Sequence, residues 1–561
     1  MSVYQNPHHP RFFTLALDGA TFDLLEPWME QGHLPNLRQL YQSGVHGRLE
    51  STYPPLTAPA WASFITGKSP ANHGLFEFFH RHPESYQPLL TNRFDIDGRS
   101  IWRVLSDADK RVGVLGVPLT WPPEQVNGYV ITGLLTPRSQ DVVFTYPEEL
   151  AEILDIELGG YQLQHTEKYV QSDPRRLVSE ERAILENKFD AALFLLRNMP
   201  STFFMMHILG SDVLQHGYWH FMDPNHPQYS EDGHQEYGNV IRDYFIRLDQ
   251  RLGELLTLIP EDCYVMVMSD HGFGPLRKYL NLNTWLMQEG FLKLKRNMAT
   301  RIRNFAFQHG YHYRLAWEIG SRIGLVRWII RIGRGSQDRL QRKVFLSLDD
   351  VDWHESKVYS SGNFGQMYVN KKGREPQGIV ELGEEYDQVL QELENALRSL
   401  RDPETGEQVV TKIWRGSELW QGRYSDRAPD LFFFTKDMEY KAMGLSDFGS
   451  QKVFEDLFGT RAHHHMEGIF MLSGPGVKVN TELSKAHLVD LAPTIYHLLG
   501  VPIPVGLDGR VLTDSFLGEL ATRPIVFEDH ERERDDDGGR GYTAEDEKAL
   551  TELLRDLGYV T

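Results

Sequence analysis

Phe12-Phe-Thr-Leu-Ala-Leu-Asp18-Gly19 is the stretch on which the fold turns. Six uncharged, mostly apolar residues run without the polar alternation of a half-exposed strand. They read as a strand covered on both faces, closed by an Asp-Gly turn. Working outward, the pattern recurs. Thr21 to Gln31 and Pro35 to Gln42 have helical spacing, the first opening on a Thr cap. Arg111 to Val117 and Tyr129 to Thr132 read as strands. A helix from Val178 to Asn198 leads into the apolar strand Thr202 to Leu209. A helix from Val240 to Ile259 leads into the strand Tyr264 to Met268. Helices alternating with continuous apolar strands predict an α/β fold, with a mostly parallel central sheet covered by helices on both faces.

The texture changes after Pro275. Lys293 to Lys343 is basic and reads as mostly helical. Val358 to Asn370 and Leu431 to Thr435 read as strands, flanking a charged helix around Tyr386 to Leu400. The core resumes at Gly468 to Ser473 and the helix Val489 to Leu499. The expected organisation is a catalytic core over 1–275, an inserted α+β cap over 276–460, and the completed core over 461–527. A charged, flexible link and a C-terminal helix, Thr543 to Leu557, occupy 528–561.

The bulk numbers exclude several classes. With 561 residues and 41% hydrophobic content the chain can bury a large core. A net charge of −20 argues against general nucleic-acid binding, so no nucleic-acid partner is expected. It leaves room for an anionic substrate, because bound cations reverse the local sign. The single cysteine, Cys263, excludes an internal disulfide. Met1 to Pro10 is polar and runs straight into the first strand, and no apolar run approaches membrane-spanning length. The expected location is therefore cytoplasmic.

The chemistry-bearing residues cluster where predicted strands end. Asp18 follows the first strand. Asp212 and His216 follow the strand ending at Leu209, Asp270 and His271 the one ending at Met268, and His463, His464 and His465 precede a later strand. Ligands of open α/β sheets bind at that edge. Carboxylate plus imidazole suits zinc, and also manganese or iron. Each cluster has a plainer reading. Asp18 can be a turn former, Asp212 and His216 a surface pair one helical turn apart, and the three histidines one loop. Four such clusters at strand edges favour metal.

Pro54-Pro-Leu-Thr57-Ala-Pro-Ala-Trp-Ala-Ser-Phe-Ile-Thr-Gly67 supplies a candidate nucleophile. Thr57 falls at the start of a helix over Ala58 to Thr66, with Pro59 in its first turn. Free N–H groups at a helix start suit a phosphoryl group, and a metal turns a hydroxyl into a competent nucleophile. The plainer reading makes Thr57 the helix N-cap.

Taken in order along the chain, these motifs resemble the alkaline phosphatase superfamily, in the branch of type I phosphodiesterases and nucleotide pyrophosphatases. The matching elements are Leu17-Asp18-Gly19, Thr57-Ala-Pro with Thr66-Gly67, Pro70 and His73-Gly74, then Asp212 with His216. They continue with Ser269-Asp270-His271-Gly272, His464 with Glu467-Gly468, Val489 to Ile495 and Leu507 to Arg510. In texture the chain is most similar to the group labelled phosphohydrolase or phosphomutase. The resemblance implies a phosphohydrolase acting on phosphodiester, pyrophosphate or phosphomonoester bonds through a phospho-threonine at Thr57. It implies two divalent ions, zinc or alternatively manganese. One would be held by Asp18, Asp270, His271 and the Thr57 oxygen, the other by Asp212, His216 and His464. Family spacing to Glu467-Gly468 selects His464 from the triplet. Nucleotide pyrophosphatases carry an Asn three residues after the nucleophile; here that position is Ala60, so a nucleotide preference is not implied.

The alternatives are a phosphomutase or phosphotransferase on the same fold, and a non-catalytic binding protein. A sulfatase would need a Cys or Ser in a Cys/Ser-x-Pro-x-Arg motif, and Thr57-Ala-Pro-Ala-Trp has neither. Residues 293–343 hold thirteen Lys and Arg against two acidic residues, a formal +11. Within them Ile323 to Ile332 places Arg327 and Arg331 on one helical face, and Leu325, Trp328, Ile329 and Ile332 on the other. Such a segment can touch an anionic membrane, or hold a small or lipid-linked phosphate ester near the metals; its plain reading is a packed cap helix with a solvated basic face.

Overall fold

The computed structural model describes residues 10–82, 84–139, 141–163, 174–312, 344–444, 448–529 and 541–559. The proposed helix at Ile323 to Ile332 and most of the link at 528–540 lie outside these residues.

Phe12–Leu17 is a strand with all six residues buried, and it sits centrally in a ten-stranded sheet. It pairs in parallel with Phe203–Ile208 on one side and Tyr264–Met268 on the other. Val112–Val117 and Gly128–Thr132 extend the parallel run past Phe203–Ile208. Beyond Tyr264–Met268 lies Glu467–Ser473, antiparallel to that strand and to Val45–Glu50. The short strand Thr145–Tyr146 is also antiparallel, at the opposite edge. The sheet is thus mostly parallel, with helices packed against it, and belongs to the α/β class.

A second apolar cluster is built from residues between Leu280 and Phe448. It joins the four-stranded sheet ordered Val358–Ser360, Gln366–Val369, Leu431–Thr435, Val410–Arg415 to the helix Glu384–Ser399. Here the sequence expectation needs correcting. Val358 to Asn370 is not one strand but a hairpin, because Gly362 and Gly365 take φ of +116° and +84° and turn the chain.

Helix Ala544–Asp556 packs Leu550, Leu553 and Leu554 into the main core, and Leu557 follows them there. That stripe at helical spacing carries the chain back over the sheet edge where the acidic and His residues gather. Helix Met298–Gln308 buries Thr300 and Phe307 but turns Met298, Ile302 and Phe305 to solvent. Among the described residues no helix is long and apolar enough to cross a membrane.

Candidate metal centre

Five chain segments deliver the site. Asp18 is the first residue after the central strand. Gly19 follows with φ +65°; a Cβ there would lie 2.8 Å from the Phe273 ring and 3.2 Å from Asp212 Oδ1, so the turn demands glycine. Asp212 and His216 lie on helix Gly210–Met222, which begins directly after Phe203–Ile208. Asp270 and His271 follow Tyr264–Met268.

The histidine triplet departs from expectation. It does not merely precede a strand; it forms one, Ala462–His465, antiparallel to Gly272–Pro275 with Phe273 opposite His464. Side chains alternate faces along a strand, so only one face of the triplet can meet the carboxylates. That residue is His464. Its Nε2 lies 3.1 Å from Asp212 Oδ1 and 3.0 Å from His216 Nε2. His463 instead stacks on Phe364, with ring centroids 4.2 Å apart, and neither of its nitrogens has a hydrogen-bond partner.

Thr57 is the first residue of helix Thr57–Thr66, and Leu56 occupies the capping position. The N-cap reading is therefore incorrect. The hydroxyl is not spent on the helix end; Oγ1 lies 3.3 Å from His271 Nε2. Motif residues farther along are structural. His73 Nε2 and Ser63 Oγ are 2.9 Å apart, which ties the next turn to this helix. The Asp508 carboxylate accepts from Ser69 N–H at 2.6 Å.

The three imidazoles share one orientation. His216 Nδ1 donates to Ala462 O at 2.8 Å, His271 Nδ1 to Gly272 O at 3.1 Å, and His464 Nδ1 to Pro55 O at 3.2 Å. A carbonyl only accepts, so each Nδ1 carries the hydrogen and each Nε2 presents a lone pair. Two such lone pairs, on His216 and His464, face each other at 3.0 Å.

The carboxylates show a matching asymmetry. Asp18 Oδ2 lies 2.9 Å from His207 Nε2, whose Nδ1 faces the Gly116 carbonyl at 3.1 Å, and accepts from Trp61 Nε1 at 3.2 Å. Asp270 Oδ1 accepts from Gly19 N–H at 3.2 Å, and Asp212 Oδ2 from the Tyr559 hydroxyl at 2.7 Å. The opposite oxygens, Asp18 Oδ1, Asp270 Oδ2 and Asp212 Oδ1, are buried without a hydrogen-bond partner. Among the described residues none of the three makes an ion pair with Lys or Arg.

These orphaned oxygens and inward lone pairs fall into two overlapping groups, Asp18–Asp270–His271 and Asp212–His271–His464. His271 is common to both, and its ring stacks on His464 with centroids 3.6 Å apart. His216 joins the second group through Asp212 Oδ2 at 3.5 Å. A cation would satisfy these converging atoms, and burying them without a partner is costly. Burial accordingly pushes Asp212 up to about 7, and burial together with Asp18 and Asp212 raises Asp270 well above the carboxylate range. Burial takes His216 down to about 3 and also depresses His271 and His464. The donor set fits divalent metal, and its outer hydrogen bonds are those that orient metal ligands.

The sequence reading missed three of those outer residues. His207 sits inside an apolar strand, and a lone His there was the available signal. Trp61 was visible only as part of the nucleophile motif, and nothing local marks Tyr559.

Fold and site together define an alkaline-phosphatase-like hydrolase. The family profile described as type I phosphodiesterase / nucleotide pyrophosphatase matches residues 13–447. The chain belongs to that family, and is thus a metal-dependent phosphoester hydrolase. No curated protein matches it in sequence. Among solved structures it is similar to phosphonoacetate hydrolase from Sinorhizobium meliloti 1021 in complex with phosphonoacetate. That match has 14% identity and a TM-score of 0.51, covering 88% of this chain and 96% of that one. It is also similar to human ectonucleotide pyrophosphatase / phosphodiesterase 5, at 14% identity and a TM-score of 0.47, covering 91% and 100%.

Proposed function

We propose that the protein hydrolyses a small or lipid-linked phosphate ester, at a phosphodiester, pyrophosphate or phosphomonoester bond, with Thr57 as nucleophile. The observation that carries this reading is the convergence of three orphaned carboxylate oxygens and three Nε2 lone pairs, one of them 3.3 Å from the Thr57 hydroxyl. Asp18, Asp270, His271 and the Thr57 oxygen would hold one divalent ion; Asp212, His216 and His464 would hold the other. Zinc suits this mixed nitrogen and oxygen set, with manganese the alternative. Such a pair lowers the pKa of a bound hydroxyl and neutralises charge on the phosphoryl oxygens.

The chain's own residues supply the rest. Thr57 Oγ1, its proton lost to solvent, would attack phosphorus in line as the P–O bond to the leaving group breaks on the opposite side, releasing an alcohol from an ester or a phosphate from a pyrophosphate. Water then displaces Thr57 from the phospho-threonine and releases the phosphoryl product. The helix start at Thr57 presents free N–H groups to the phosphoryl group. His207 and Trp61 keep Asp18 turned with one oxygen inward.

We also propose that 1–275 and 461–527 form the catalytic core, and that the insertion at 276–460 shapes substrate choice. The stacking of Phe364 on His463, beside the ligand His464, supports this. Contact of 293–343 with an anionic membrane remains a separate proposal, supported by the outward Met298, Ile302 and Phe305 among basic neighbours.

The test is turnover of mono-, di- and pyrophosphate esters by purified protein with added zinc or manganese. Hydrolysis abolished by chelator and restored by metal is expected. Full activity in chelator contradicts the reading. Transfer to an acceptor alcohol rather than water would identify a phosphotransferase.

A further inference from the structure

Each carboxylate of the metal centre is fixed at one oxygen and open at the other. Asp18 and Asp270 are fixed from within the sheet edge. Asp212 is fixed by Tyr559, 347 residues away in sequence. The Tyr559 side chain is only 2% exposed. Its ring packs edge-on against His216 at 5.8 Å and His464 at 5.7 Å, and lies 5.0 Å from Phe78.

The backbone around it is held by the insertion. Asn363 Nδ2 donates to the Tyr559 carbonyl at 2.8 Å, and Lys441 Nζ to the Gly558 carbonyl at 2.8 Å. Gly558 has φ +90°, and a Cβ there would lie 2.1 Å from Thr460 Cγ2. Any other residue there would be strained at this φ and would have to displace the Thr460 methyl. Behind it, the buried leucines of helix Ala544–Asp556 anchor the segment in the main core.

We infer that Tyr559 is a positioning residue for one of the two ions. Its hydroxyl holds Asp212 Oδ2, which turns Oδ1 toward His464 and His271, so the C-terminal segment and the insertion together set occupancy of that ion. The inference rests on the two-ion reading above. A hydroxyl that only filled space could be removed without touching metal affinity. One that orients a ligand carboxylate cannot, and loss of such an outer partner typically weakens binding about 10–100-fold.

The test is calorimetric titration of the chelator-treated full chain with Zn2+, comparing wild type, Tyr559→Phe, Gly558→Ala and Asp212→Asn. Tyr559→Phe keeps the ring and its packing. It should bind one ion at wild-type affinity and the other about 10–100-fold more weakly. Gly558→Ala should weaken the same ion by displacing the tyrosine, and Asp212→Asn should lose it. Two ions at wild-type affinity in Tyr559→Phe would overturn the inference and leave the two-ion reading standing. So would faster turnover by Tyr559→Phe with unchanged binding, since the residue would then be a plug. A wild type that binds no ion contradicts the two-ion reading itself.

Discussion

Loading the metal centre below neutral pH should expel protons, and they should come from carboxyl groups rather than imidazoles. With no cation bound, burial holds the Asp212 carboxyl at about 7 and Asp270 well above its ordinary range. The same burial takes His216 down to about 3 and depresses His271 and His464. At pH 6 the imidazoles are therefore already neutral and able to bind, while the Asp212 carboxyl carries a proton that an incoming cation must displace. Because the carboxyl pKa is raised, affinity is full above about pH 7 and declines as pH falls below it. Asp212 alone contributes a factor of ten per pH unit. Between pH 7, where half of the group is still protonated, and pH 5 that is roughly 50-fold, or about 2.3 kcal/mol. Asp270 steepens the slope in the same direction. Titrating chelator-treated protein with Zn2+ at pH 6, in buffers of different ionisation enthalpy, counts the protons released. The count should be positive, and Asp212→Asn should lower it. Affinity that stays flat from pH 5 to pH 7 with no proton release would refute the reasoning.

His464→Ala should lower turnover by about 100-fold or more, a loss of at least ~2.7 kcal/mol in transition-state stabilisation, because it removes an inward Nε2. His463→Ala and His465→Ala, on the other face of the same strand, should each cost far less; if either is the most damaging, the ligand assignment is wrong. The protein should co-sediment with acidic liposomes at low salt and be released at high salt, with charge reversal at Arg327 and Arg331 abolishing binding. Equal recovery with neutral and acidic liposomes would refute membrane contact.

What the sequence made legible follows from range. Strands buried on both faces, such as Phe12–Leu17 and Tyr264–Met268, announce themselves as unbroken apolar runs, and the carboxylates after them lie next door in sequence. The sheet edge was thus readable, and with it Asp18, Asp212, Asp270 and His271. The triplet was harder. Without knowing that Ala462–His465 pairs with Gly272–Pro275, alternation could not be applied, and only family spacing chose His464. The hairpin within 358–370 was hidden because Gly362 and Gly365 interrupt a segment that is otherwise strand-like. Tyr559 was out of reach, since its role depends on a contact spanning 347 residues and on an Asn and a Lys from the insertion.

The central claim, that Thr57 carries the phosphoryl group, is tested most directly by quenching a single turnover in acid and mapping the adduct by mass spectrometry. With an aryl phosphodiester substrate the peptide containing Thr57 should gain the mass of the phosphoryl moiety left after the aryl alcohol departs. Thr57→Ala should show neither adduct nor turnover, while Thr57→Ser retains both. Wild-type turnover by Thr57→Ala, with no adduct on any peptide of the native enzyme, would contradict it.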